Sequence, residues 1–182
     1  MYRKCSRLGD PARSSATERN PGQPVDNDRR LHVNLGRLVA MTEHGGPSLA
    51  PVRTDGDLLG HWRALMGHGG FARRSLWMIW FDGHGASLPI VIPIDDVPDL
   101  PDDQLIDNVT RVLAEIIDES EATSAALLLS RPGAGRKGAD DLVWARTLVT
   151  AARRQDVPLW PVHLATADQV QAFTPDDLAA AG

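Results

Sequence analysis

An unbroken apolar run at residues 125–129 (AALLL) leads straight into the loop SRPGAGRKGADD at residues 130–141 and then into a helical pattern. A strand without polar alternation has to be covered on both faces. With a helix leaving its end and further apolar segments beyond, the chain has to cross back over a sheet, which selects the α/β or α+β class. Inside the loop, Gly133, Gly135 and Gly138 spell G-x-G-x-x-G. That spacing lets backbone amides and a helix N-terminus cradle a phosphate.

The elements around this loop are legible from periodicity. Leu58, Leu59, Trp62, Leu65 and Met66 recur at helical spacing after Asp55 and Asp57, and Gly67 ends the helix. Residues 75–81 (SLWMIWF) and 88–94 (LPIVIPI) flank the turn Asp82-Gly83-His84-Gly85 and predict a β-hairpin. Pro89 and Pro93 remove ladder donors, so the second hairpin strand is expected at an edge or a bulge. DLPDD at residues 99–103 opens a helix whose stripe is Leu105, Ile106, Val109, Val112, Leu113, Ile116 and Ile117. Leu142, Ala145, Leu148, Val149 and Ala152 mark the helix after the glycine loop, and residues 158–164 and 170–173 are two more strands. The predicted order is α-β-β-α-β-α-β-β, a mixed sheet flanked by helices.

The context of the glycines argues against dinucleotide binding. Ser130, Arg131 and Pro132 separate the strand from the first glycine, and Lys137 is followed by Gly138 and Ala139, not by the Ser or Thr of a phosphate loop. The acid after the loop, Asp168, also comes too late for a ribose contact. Arg131, Arg136 and Lys137 beside a helix start remain as a candidate anion-binding or nucleotide-sensing set.

Charge and composition narrow the class further. Residues 1–40 carry eight Arg/Lys against four acids, while residues 41–182 carry eleven against twenty. The acidic part would repel a phosphate backbone, so general nucleic-acid binding is disfavoured. Residues 1–54 hold little apolar surface and read as a disordered tail, with a single domain at residues 55–182. The abrupt change at Met41 suggests that translation starts there and that residues 1–40 are over-called. Cys5 is the only cysteine, which excludes a disulfide framework and fits a cytoplasmic protein. No apolar run approaches the roughly 20 residues of a membrane span. Of 19 basic residues only Lys4 and Lys137 are lysines, as in proteins from GC-rich bacteria.

Residues 75–177 resemble the JAB/MPN (JAMM) domain in its bacterial RadC-like form, a cytidine-deaminase-like fold, first in element order and then in local motifs. RadC-like domains carry His-x-His-Pro-Ser-Gly after the central strand and an Asp opening the next helix. Here Leu129-Ser130-Arg131-Pro132-Gly133 stands in that place, with Asp140 or Asp141 at the helix start. The run Val157-Pro158-Leu159-Trp160-Pro161-Val162-His163-Leu164 resembles the family's Gly-Ile-x-Leu-x-Asp-His-Ile strand. The resemblance implies two His and one Asp on zinc, with a Glu polarising its water. Leu129 and Arg131 fall where the two His belong, only Asp140 or Asp141 survives, and residues 75–94 contain no Glu. Leucine cannot ligate and a guanidinium repels Zn²⁺. The expectation is therefore a non-catalytic pseudoenzyme without metal or cofactor, serving as a binding or scaffold module for another protein or a second copy.

Two enzyme-like alternatives have weaker support. A hydrolase site rebuilt from His84, His163 and Asp140/Asp141 requires those side chains to converge. His61 and His68 could pair on a helix face only if the helix ran past Gly67. Asp95, Asp96, Asp99, Asp102 and Asp103 lack calcium-loop spacing and read as helix capping. His163 alternates with Val162 and Leu164 and is expected in the core. Nucleophilic catalysis has no candidate.

Overall fold

The hairpin and the strand at residues 125–129 form the middle of a six-stranded mixed sheet with helices on both faces. A computed structural model describes residues 39–40, 50–67 and 70–179, all within the compact unit Val33–Gly182. The expectations for residues 1–38 and 41–49 of the tail, for a start at Met41, for Cys5 and for His68 lie outside the described residues.

The chain runs β1 (Val39–Ala40), α1 (Asp55–Met66), β2 (Ser75–Asp82), β3 (Ser87–Asp95), α2 (Asp103–Glu119), β4 (Ala122–Ser130), α3 (Ala139–Arg154), β5 (His163–Ala165), β6 (Val170–Ala172) and α4 (Pro175–Ala179). From α1 to β6 this is the predicted order. The strands lie β1-β3-β2-β4-β5-β6, antiparallel except for β4 and β5, which the α3 crossover makes parallel.

Burial explains why β2 and β4 lack polar alternation. Leu76, Met78, Trp80, Leu127 and Leu129 face α2 and α3, packing on Val109, Leu113, Trp144 and Leu148. Ile79, Phe81, Ala126 and Leu128 face the opposite way, onto Val52, Leu58 and Trp62 of α1 and its approach. Each large side chain buried in this way contributes about 1.5–3 kcal/mol. Of the five tryptophans, Trp62, Trp80 and Trp144 are fully buried, whereas Trp77 and Trp160 are half-buried.

The helix starts follow their capping residues. Thr54 and Asp57 exchange hydrogen bonds at the start of α1, with Asp57 N–H donating to Thr54 Oγ1 at 3.2 Å and Thr54 N–H to Asp57 Oδ2 at 2.9 Å. Asp102 caps α2 by accepting from Leu105 N–H at 2.8 Å. In the hairpin turn, Asp82 Oδ1 accepts from His84 and Ala86 N–H, both at 2.8 Å. Gly85 sits at φ 83 with its carbonyl taking Val52 N–H at 2.8 Å, and a Cβ there would lie 2.3 Å from Val52 O. Only glycine fits this approach. Val52 is buried, so packed structure begins ahead of the expected boundary at Asp55.

Three expectations change in detail. β3 is not the outermost strand, because β1 pairs with Val91 and Ile90 between the two prolines. The alternative of a bulge holds: the β2–β3 register shifts between Ile79↔Val91 and Phe81↔Ser87, the stretch that contains Pro89. The strand expected at residues 158–164 is in the ladder only from His163, with Leu159 making one isolated bridge to Ala125. Pro158 and Pro161 have no N–H to extend it. Helix α4 was not anticipated. It is capped by Thr174 and Asp177, with Thr174 N–H donating to Asp177 Oδ2 at 2.8 Å and Asp177 N–H to Thr174 Oγ1 at 3.3 Å.

Candidate functional site

The end of β4, the glycine loop and the start of α3 converge on one buried carboxylate, Asp141, whose side chain is 2 % exposed. Its Oδ1 accepts from Arg74 Nη1 at 3.0 Å, and its Oδ2 accepts from Arg131 Nε at 3.0 Å and from Gly138 N–H at 2.9 Å. The last bond is the helix-start geometry of α3, which turns Asp141 inward while Asp140 stays exposed. Arg74 precedes β2, and the antiparallel register that sets Ser75 opposite Ser130 carries it to this end of the sheet. Its Nε also lies 3.7 Å from exposed Asp99. Arg131 further donates to Arg136 O at 2.9 Å and Pro132 O at 3.3 Å, tying the loop to itself.

The remaining cations and amides of the loop are largely engaged. Lys137 Nζ lies 2.6 Å from Asp177 Oδ2 and 5.2 Å from the centre of the Phe173 ring. The Lys137 ammonium and the Thr174 amide hold the Asp177 carboxyl down at about 2. Gly135 N–H donates to Asp168 Oδ1 at 3.1 Å, and Thr166 Oγ1 donates to the same oxygen at 2.7 Å, which lowers the Asp168 carboxyl, the Thr166 hydroxyl counting most. Of the anion-binding candidates Arg131, Arg136 and Lys137, two are therefore paired with carboxylates, and only Arg136 presents an exposed guanidinium.

These residues do not fit zinc. Leu129, in the position of one family histidine, is fully buried among α2 and α3 core residues. Arg131, in the position of the other, donates to the carboxylate that would have to ligate. Both oxygens of Asp141 already face guanidinium groups. Among the described residues no three His, Cys, Asp or Glu side chains are grouped to hold a metal ion.

The histidines are dispersed. His84 is exposed in the β2–β3 turn, at the end of the sheet where Asp82 opposes Ala122. Eight residues of β4 separate that end from Ser130, a span of roughly 26 Å at about 3.3 Å per residue. His84 therefore does not join His163 or Asp140/Asp141. His163 is buried on β5 opposite Leu128, its Nδ1–H donating to Pro161 O at 2.8 Å, and its Nε2 has no partner among the described residues. Burial lowers its imidazole below the ordinary 6.5. His61 is buried edge-on to Phe81 at 5.6 Å and is lowered for the same reason. The acidic run is used piecemeal: Asp95 accepts from Ser75 Oγ at 2.8 Å, Asp96 pairs with Arg73 at 2.9 Å, and Asp102 caps α2.

Sequence reasoning passed over Arg74. It stands in an Arg-Arg pair before a strand, and nothing local shows which acid, 67 positions away, it meets. Among the described residues no helix is long and apolar enough to cross a membrane. Compared with known proteins, the sequence matches no family model and no curated protein.

Proposed function

We propose that this chain is a JAB/RadC-like domain without a metal centre, acting as a non-catalytic binding or scaffold module. The observation that carries the reading is the Arg74–Asp141–Arg131 cluster, with a guanidinium on each carboxylate oxygen. In the family that this chain resembles, the Asp opening this helix and the positions of Leu129 and Arg131 supply metal ligands. Here positive charge comes from arginines, which satisfy the buried carboxylate without a cation from solution. The order α-β-β-α-β-α-β-β from α1 to β6 supports the same kinship.

The test is elemental analysis of the full chain expressed with added zinc and then dialysed. Zinc well below one equivalent is expected. Stoichiometric zinc that Asp141→Asn removes would overturn the reading, since two guanidinium groups on the carboxylate repel an incoming cation.

A further inference from the structure

Beside α3 and α4 the surface holds a groove of about 550 Å³ with an apolar floor, and every charged residue lining it is an arginine. Val149 of α3, Leu159 and Pro161 before β5, and Leu178 of α4 are half-buried there. Arg146 donates to Asp177 O at 2.7 Å and Leu178 O at 3.1 Å, two neutral acceptors that leave its charge uncompensated. Arg153 is exposed, and its guanidinium has no partner among the described residues. The surrounding part of the chain is acidic, with eleven Arg/Lys against twenty Asp/Glu in residues 41–182. A cationic apolar groove on such a domain favours an acidic, apolar occupant and disfavours the basic residues 1–40.

One wall of the groove is an open strand edge. Ala125 N–H donates to Pro158 O and Trp160 N–H donates to Ala125 O, both at 2.9 Å. That bridge to β4 turns the N–H and C=O of Leu159 the other way, and β6 does not reach them because it pairs only with His163–Ala165. Neither group has a backbone partner among the described residues. An extended segment laid along this edge gains two main-chain hydrogen bonds and places alternate side chains into the groove.

We propose that this groove docks an extended segment of a partner protein that is both acidic and apolar. Its backbone bridges to Leu159, its apolar side chains rest on Val149 and Leu178, and a carboxylate meets Arg153. The inference rests on the binding-module reading and names the partner chemistry that the module would take.

Selection of random displayed peptides of about twelve residues on the full chain tests it. The expected winners combine aliphatic or aromatic residues with Asp or Glu. Their binding falls roughly tenfold with Arg153→Glu, a reversed rim charge, and equally with Thr150→Trp, which fills the groove from an exposed position. Thermal melts matching the parent chain show that both variants fold. No enrichment, enrichment of basic peptides, or binding indifferent to both variants overturns the site. A dimer that Thr150→Trp makes monomeric would give the groove to a second copy and overturn it too. A zinc-free chain that enriches no acidic peptide defeats the groove alone. Stoichiometric zinc defeats the metal-free reading alone, whatever the peptides do.

Discussion

Arg74 and Asp141 lie 67 positions apart and meet at 3.0 Å, with side chains only 13 % and 2 % exposed. The pair joins the approach to β2 to the first turn of α3, and with Arg131 it closes the end of the sheet where the glycine loop leaves β4.

Removing one partner from a buried pair leaves an undercompensated charge, usually at about 3–5 kcal/mol. Arg131 still serves Asp141 when Arg74 is gone, so Arg74→Met should cost about 2–3 kcal/mol in urea unfolding. Combining it with Asp141→Leu should cost less than the two single changes added together. Strict additivity would mean that the contact carries little of the stability of this end of the fold.

Acidification should weaken the protein well above the carboxylate range. Burial depresses the folded-state titration of His163 and His61 below 6.5, so below that pH the unfolded chain binds more protons than the folded one. Stability then falls as pH drops from about 6.5 toward the depressed values, each histidine contributing up to about 1.4 kcal/mol per pH unit. Unfolding midpoints at several pH values between neutrality and pH 5 should show this slope. His163→Leu should remove about half of it.

A second, more acidic transition is expected at α4. Asp177 is held at about 2 against an ordinary 3.8, so its contribution is complete above 3.8 and is lost as pH falls toward 2. Asp177→Asn should reproduce at neutral pH the faster amide exchange of α4 that is expected in acid. Thr174→Ala should cost about 1 kcal/mol through the same cap.

Two glycines with nearly equal φ separate strain from crowding. Gly133 has φ 81 and open space around a would-be Cβ, while Gly85 has φ 83 and Val52 O at 2.3 Å. Gly133→Ala should cost about 1–2 kcal/mol for the left-handed conformation alone. Gly85→Ala should cost more and free Val52, seen as faster exchange of its amide. Equal losses at the two sites would show that the Val52 contact adds nothing.

The parts of this architecture visible in the sequence are those fixed by local periodicity. The hairpin, α2, β4 and α3 each bury a regular stripe or an unbroken run, and each is present in the fold. Helix α4 spans five residues with one sizeable apolar side chain, Leu178, so its only signal is Thr174-Pro175-Asp176-Asp177, a capping pattern like the Thr54–Asp57 one that opens α1. The length of β5 depends on which amides Pro158 and Pro161 withhold, and that emerges only once β4 lies alongside. The choice between Asp140 and Asp141 depends on the turn that returns Asp141 to Gly138 N–H and on the two arginines that converge there. The sequence marks Arg131 as standing where a ligand belongs, but its role as a clasp depends on the position of Arg74.

Pro158 and Pro161 also govern how the open edge at Leu159 can behave toward other chains. An unprotected strand edge recruits identical edges and can template indefinite stacking. With a proline one residue before Leu159 and another two residues after it, this edge offers a single residue's worth of hydrogen bonds. A strand registered there would be unable to extend its ladder past either proline, so this edge resists the stacking that a longer edge allows.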